Sequence, residues 1–318
     1  MLNKKNQSPF HKGEKAIQTQ LGVRDRMERF GQRVIRDHMP EQHQEFYRQL
    51  PFIIIGHADH NGFPWASILF KHSGLLQSPD KKHLIINSRA IKGDPLASTL
   101  DENYKQGKQT KLGILGIELN SRRRNRLAVH VSEYSQHKIE LEVDQSFGNC
   151  PKYIQARDLT FISKEDHQQH TQQVQQFSQL DAKATQLIEN SDTFFIASYI
   201  EDKGGKDSEG ADVSHRGGKP GFVQVNNNTL IIPDYQGNYY FNTLGNILEN
   251  PKAGLLFIDF DSGDVLMLSG AAHIIWESEE MKTFEGAHRL LKFTLGKGLL
   301  IRHALPFKWT KAEQSPFL

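Results

Sequence analysis

The sequence predicts a mainly β (α+β) chain in which two small antiparallel barrels follow one another, and three observations carry that prediction. The first is repetition. Phe52-Ile53-Ile54-Ile55 returns as Phe194-Phe195-Ile196-Ala197, and Lys111-Leu112-Gly113-Ile114-Leu115 returns as Lys252-Ala253-Gly254-Leu255-Leu256. The offset between copies runs only from 141 residues (Gly113 to Gly254) to 146 (Leu84 to Leu230), so length differences fall in loops. The second is local: apolar runs are short, bounded by turn residues, with one short helical stretch per copy. The third is the lack of a βαβ rhythm, which leaves a doubly wound parallel sheet without its crossovers. A site between the two copies is expected, because ligand sites favour domain interfaces.

The elements follow in order. Residues 14–50 read as helices: Met27, Phe30, Val34 and Ile35 fall on one stripe, Pro40 breaks the run, and Phe46, Tyr47 and Leu50 continue it. The first barrel occupies 51–155, with Asn61-Gly62 as a hairpin turn and Asp94-Pro95 opening a helix that carries Leu96 and Leu100. Residues 156–190 read as a linker helix, with Ser163 and Asp166 as a capping box and Val174, Phe177, Leu180, Ala184, Leu187 and Ile188 as its stripe. The second barrel with a helical tail occupies 191–318; residues 201–211 read as a charged, glycine-rich loop and 279–293 as a short helix.

Composition narrows the function classes. The 318 residues allow two ordinary domains, and 39 Lys+Arg against 37 Asp+Glu give a net charge of +2, which offers no argument for nucleic acid or an anionic membrane. One cysteine, Cys150, excludes an internal disulfide and fits a reducing compartment. Residues 1–9 lack the apolar core of a signal peptide, and no apolar run approaches the ~20 residues that span a bilayer, so a cytoplasmic protein is expected.

The densest polar constellation lies in the second repeat. It comprises Asp212-Val213-Ser214-His215-Arg216-Gly217-Gly218-Lys219, then Pro233-Asp234-Tyr235-Gln236-Gly237-Asn238, then Asn242-Thr243-Leu244-Gly245-Asn246 at a helix start. A phosphate needs a cation, hydroxyl or amide donors, and backbone N–H groups that can approach closely. Arg216, Ser214, Asn238, Thr243 and the glycines supply each. A glycine-rich hairpin with solvated polar residues has the same composition, and the motif alone does not separate the two.

Three stretches sharpen the reading: Gly218-Lys219-Pro220-Gly221-Phe222-Val223-Gln224-Val225, then Thr229-Leu230-Ile231-Ile232-Pro233-Asp234 through Gly237-Asn238, then Asn246 through Asn250-Pro251 to Ile258. Together they resemble the pyridoxamine 5′-phosphate oxidase-like, FMN-binding split-barrel superfamily. Ser8-Pro9-Phe10-His11-x-Gly13-Glu14, Arg122-Arg123-Arg124-Asn125-Arg126 and Gln145-Ser146-Phe147-Gly148-Asn149-Cys150-Pro151-Lys152-Tyr153-Ile154-Gln155 add likeness to a bacterial subgroup with tandem split barrels. The resemblance implies non-covalent FMN between two barrels and electron or hydride transfer, with a small-molecule substrate or a nicotinamide or ferredoxin-type donor. It names Ser214, His215, Arg216, Lys219, Asp234, Gly237, Asn238, Thr243 and Asn246 as cofactor-binding, with Arg122, Arg124, Asn149 and Tyr153 from the first half. The vitamin-oxidising members carry an Arg-Lys pair where this chain has Asn242-Thr243. That departure argues against pyridoxamine phosphate oxidase activity and shifts phosphate recognition to Arg216 and Asn238. The first repeat lacks the Pro-Asp-x-x-Gly-Asn word, so its equivalent site is expected to be degenerate.

Other readings attach to single residues. The arginine run 122–126 could serve nucleic acid, but the near-neutral chain argues for a solvated loop or a flavin-facing cluster. Cys150 lacks a matched Cys-His signature and is expected to be a structural thiol lining the site. His57-x-x-His60 and His167-x-x-His170 have no further ligands in pattern, so no metal is expected. A haem-binding or haem-degrading barrel with His215 on iron, and a non-catalytic flavin module serving a partner reductase, are the alternatives. A homodimer is compatible with the sequence; nucleic-acid and membrane partners are not expected.

Overall fold

The computed structural model describes residues 7–163, 171–201 and 207–318. Its architecture is two antiparallel sheets with the same strand order. In the first half, β1 (Phe52–Ala58), β2 (Pro64–Phe70), β3 (Leu76–Gln77), β4 (His83–Ile86), β5 (Lys111–Glu118), β6 (Arg123–Ser135) and β7 (Lys138–Gly148) run β2-β1-β5-β6-β7-β4-β3. In the second, β10 (Thr193–Ile200), β11 (Gly210–Gly217), β12 (Gln224–Asn226), β13 (Thr229–Asp234), β14 (Lys252–Ile258), β15 (Val265–Ile275) and β16 (Arg289–Arg302) run β11-β10-β14-β15-β16-β13-β12. Element for element this is the predicted repeat: two tandem split barrels.

Each barrel has an apolar interior. Ile53, Ile55, Leu84, Leu112, Ile114 and Val129 fill the first; Phe194, Ile196, Leu230, Leu255, Phe257 and Phe293 fill the second. A third core lies between them, where Ile54, Trp65, Ile68, Leu115 and Ile117 meet Phe195, Val213, Leu256, Val265 and Met267. The contact is two-fold in pattern. A Cβ on Gly113 would lie 2.7 Å from the Asp212 Cα, and one on its counterpart Gly254 would lie 2.4 Å from the Pro64 carbonyl oxygen. Only glycine lets the neighbouring strand lie this close.

Helices cap this framework. The N-terminal segment forms α1 (Lys12–Gln20), α2 (Arg24–Val34) and α3 (Glu41–Gln49), with Pro40 at the start of α3 as its breaking role predicts. One helix per repeat follows: α4 (Pro95–Lys105), capped by Asp94 accepting from the Leu96 N–H at 2.8 Å, and α6 (Asn242–Glu249). No helix among the described residues is long and apolar enough to cross a membrane.

Two expected helices are corrected. In the linker only α5 (Ala182–Asn190) is helical, capped by Asp181; β9 (Gln173–Phe177) is a strand paired with β16. Phe177 covers Gly298 on that strand, so the spacing of Val174 and Phe177 serves a tertiary pairing instead of a helical stripe. Asp166 of the expected capping box, and residues 202–206 of the 201–211 loop, lie outside the described residues, and Gly210 and Ala211 already belong to β11. The tail carries one 3₁₀ turn (Glu279–Thr283) before β16, and β17 (Phe307–Trp309) pairs with β8 (Leu159–Phe161). β16 supplies the partner that both β13 and β15 need, which overrides the weak helical spacing at 284–293.

Candidate functional site

A cleft of about 970 Å³, counting its open mouth, lies between the barrels. One wall is β11, the end of β13, the turn 235–241 and the start of α6; the other is the start of β6 and the loop 149–153.

The first-barrel wall follows from strand alternation. Residues two apart on a strand share a face, so Arg124 and Arg126 both reach the cleft while Arg123 points the other way, stacked over Phe46 at 4.6 Å. Arg124 Nε donates to the Cys150 carbonyl at 2.8 Å, and its Nη1 donates to His215 Nδ1 at 3.1 Å. Arg126 pairs with Asp212 and lies over Phe147 at 5.3 Å. Burial, helped by the neighbouring guanidiniums, lowers Arg126 to about 9 and Arg124 to about 10. Both stay cationic at neutral pH, and an anion beside them relieves the cost of holding those charges away from water.

On the second-barrel wall, Asp234 lies opposite Arg289 in the β13–β16 register, and its carboxylate is shared. Oδ1 pairs with Arg216 Nη1, and Oδ2 lies 3.5 Å from Arg289 Nε. Arg289 is buried between Phe241 (5.2 Å) and Trp276 (5.4 Å), and its Nη1 has no partner within the protein. The lining therefore sets Arg124, Arg126, Lys152, Arg216 and Arg289 against one carboxylate, Asp234.

His215 carries a defined proton. A guanidinium can only donate, so His215 Nδ1 accepts from Arg124 and the proton of the neutral ring sits on Nε2. Burial first, then Arg124 and Arg216, hold the imidazole well below its usual value, so it is neutral. The Nε2–H is buried in the wall without an acceptor.

At the head of α6 no side chain caps the helix, so its first N–H groups depend on water or a ligand. Thr243 Oγ1 donates to Asp212 at 3.0 Å and meets Ser214 Oγ at 2.8 Å. Tyr153, Tyr239 and Phe241 line the cleft with φ of +68°, +63° and +65°. A left-handed backbone costs on the order of 1–3 kcal/mol at each such residue and tends to gather at functional sites. Bonds cross the cleft between halves: Asn238 Nδ2 donates to Asn149 Oδ1 at 2.9 Å, and Tyr153 Oη donates to the Gln236 carbonyl at 3.1 Å.

Residues 180–297 match the family model described as pyridoxamine 5′-phosphate oxidase. Over those residues the second barrel is similar to the pyridoxamine 5′-phosphate oxidase family. No curated protein matches the chain. Solved structures similar to parts of it include HupZ of Group A Streptococcus (12% identity, 36% of this chain and 90% of that one, TM-score 0.29). The FAD binding protein of Mycobacterium smegmatis is 10% identical over 40% of this chain and 98% of that one, TM-score 0.26. HutZ, the heme storage protein of Vibrio cholerae, is 13% identical over 39% and 94%, TM-score 0.27.

Of the residues named from sequence, the cleft of this oxidase-like barrel gathers Ser214, His215, Arg216, Asp234, Gly237, Asn238, Thr243, Arg124, Asn149 and Tyr153. Three lie elsewhere. Arg122 precedes β6 in a left-handed turn and bonds the Ile154 carbonyl and Glu313. Lys219 lies on a separate groove with Arg157 and Asp192. Asn246 sits one turn deeper in α6, donating to Ser198 Oγ at 3.1 Å. The sequence reading held Arg126 only as part of the run 122–126, without naming it as cofactor-binding, and missed Arg289. Strand alternation from Arg124 points to Arg126; Arg289 becomes visible only in the β13–β16 register.

The pseudo-equivalent position in the first barrel is closed. By strand register, Ser214, His215 and Arg216 correspond to Ser67, Ile68 and Leu69, while Arg124 and Arg126 correspond to Val265 and Met267. Ile68, Val265 and Met267 are buried with Ile91, Leu305 and Phe307 in the inter-barrel core.

Proposed function

We propose that the cleft binds one FMN per chain non-covalently, and that the protein transfers electrons or hydride through it. The observation that carries this is the excess of cations over the carboxylates of Asp234 and Asp212, with Arg289 Nη1 and the His215 Nε2–H both buried and unpartnered. Unsatisfied buried donors are costly, so they point to a ligand that brings acceptors. The second-barrel wall suits a phosphate: Arg216, Arg289, the Ser214 hydroxyl, which is free to turn from Thr243, and the uncapped head of α6. Tyr153, Tyr235 (ring centroids 5.4 Å apart) and Phe241 offer aromatic surface to a planar ring. Arg124, Arg126 and the His215 N–H offer donors to ring carbonyls and to negative charge that collects on the ring.

The flavin, when bound, supplies the redox chemistry; these residues hold it, orient it and bias its charge. The Nε2 proton of His215 disfavours a haem reading. Iron ligation needs that nitrogen's lone pair, and freeing it requires breaking the Arg124 contact. Titration with FMN and with riboflavin tests the reading: tighter binding of FMN supports it, and equal affinities remove the phosphate seat. Steady oxidation of a nicotinamide by the FMN-loaded protein separates an enzyme from a carrier module.

A further inference from the structure

Behind the cleft lies a carboxyl group that the site does not use directly. Glu14, on α1, is 1% exposed. Its Oε2 accepts from the His11 N–H at 2.7 Å, and its Oε1 meets the side-chain amide of Asn242, the first residue of α6. The helices cross closely: a Cβ on Gly245 would lie 2.6 Å from the Glu14 nitrogen, so the carboxyl is held against α6. Asn242 stands between two spaces, lining both the cleft and the smaller cavity behind it that holds His11 and Glu14.

The charged and titratable groups that face Glu14 are few. His11 lies 3.6 Å away, but its own burial holds it down to about 4, so it is neutral. Lys15 on α1 and Arg126 from β6 act on Glu14 through space, and Arg126 is already paired with Asp212 of β11. Glu249 of α6 and Glu209 beside β11 act on His11. A buried carboxyl with no cation bonded to it keeps its proton, and burial raises Glu14 to about 8.

The position of that proton follows from the contacts. Oε2 already accepts from a backbone N–H, so the proton rests on Oε1, against Asn242. A protonated Oε1 donates, which calls for the amide oxygen and turns the amide NH₂ toward the cleft. An ionised Oε1 accepts from Nδ2, which leaves Asn242 Oδ1 in the wall with no partner in the protein. Both arrangements occupy the same space, because the amide nitrogen and oxygen exchange by a half-turn.

We propose that the Glu14–Asn242 pair is a proton-coupled selector that presents a donor to an anion in the cleft only while Glu14 is protonated. Where Glu14 is ionised in the free protein, binding of an anion therefore draws a proton from solvent onto Glu14 Oε1. Glu14 is a positioning residue: it touches no ligand and acts through Asn242. The proposal rests on the anion-binding reading above and adds the group that regulates it.

Calorimetry separates the two claims. FMN and inorganic phosphate are titrated into the protein and into Glu14→Gln, from pH 7 to 9, in buffers of different ionisation enthalpy. The expected result is a wild-type affinity for both probes that falls toward tenfold per pH unit above about 8, with uptake approaching one proton. Glu14→Gln, which donates permanently, keeps its affinity across this range and takes up none. Asn242→Ala, which removes the amide, binds more weakly and also loses the proton uptake, so it decides the matter if Glu14→Gln does not fold. Identical pH profiles and proton counts in wild type and Glu14→Gln overturn the selector while leaving FMN binding intact. Uptake with phosphate but no FMN binding keeps the selector and overturns the flavin reading; no binding of either probe overturns both.

Discussion

Replacing Arg216 with alanine isolates the phosphate from the rest of the ligand. In the native cleft one carboxylate, Asp234, is shared by Arg216 and Arg289, so the trio carries a net charge of +1. Arg216→Ala leaves Asp234 with Arg289 alone, and the trio becomes neutral. The phosphate loses one charge-assisted hydrogen bond, worth about 1.5–3 kcal/mol, which corresponds to roughly a ten- to hundredfold weaker Kd. The side chain is 22% exposed, so solvent screening places the expected loss at the lower end of that range. Riboflavin, which has no phosphate, should lose little. Flavin fluorescence titration of wild type and variant with both ligands measures the difference directly, with a thermal unfolding curve as the check on folding. Adding Asp234→Asn to the variant removes the leftover carboxylate and should recover part of the FMN affinity. Equal losses for FMN and riboflavin, or no loss for FMN in a folded variant, would refute the reasoning.

Further expectations concern the same residues. Because Val265 and Met267 replace the arginines at the pseudo-equivalent position, FMN should saturate at one per chain; two equivalent sites by calorimetry would contradict the closed core. Residues 1–160 and 161–318 expressed apart should bind little flavin and recover some on mixing, because Arg124, Asn149 and Tyr153 face the second barrel and the shared core would be exposed; full binding by the second half alone would show the site is not shared. Stability should fall as pH drops below about 6.5. His11, His43, His57 and His215 are neutral in the fold, with pKa values held below 6.5, so the unfolded chain binds more protons there, and these four outnumber the opposing Glu14, Asp94 and His130. Above that range the sign reverses through Glu14. Between its unfolded value of 4.5 and about 8 the fold holds a proton the unfolded chain has released, at about 1.4 kcal/mol per pH unit. Urea unfolding of Glu14→Gln should lack the decline between pH 7 and 8; an unchanged decline would show that another group causes it.

The internal repeat made the fold legible, because insertions avoid the strands that pair within each barrel and the glycines that let the barrels meet. Gly113 and Gly254 recur for that reason. The cleft was legible where its residues are contiguous: Ser214-His215-Arg216 lie on one strand and Gly237-Asn238 in one turn. Arg289 was not, because it reaches Asp234 only through the pairing of two strands distant in sequence. The misread stretches share that cause. Val174, Phe177 and the segment before Phe293 have spacings that suit a helix, but each pairs with or belongs to β16, whose partners lie elsewhere in the chain. Glu14 stands at the end of the family-like word that starts at Ser8, but its burial was not legible, for another reason. A glutamate in a charged helix reads as exposed unless the crossing with α6 is known.

The most direct test of the central claim is the visible absorption spectrum of the purified full-length protein after incubation with equimolar FMN and haem and removal of unbound ligand. The expected spectrum shows the two bands of bound flavin, at one flavin per chain, with no Soret band. A Soret band with no retained flavin would contradict the account and return His215 to iron.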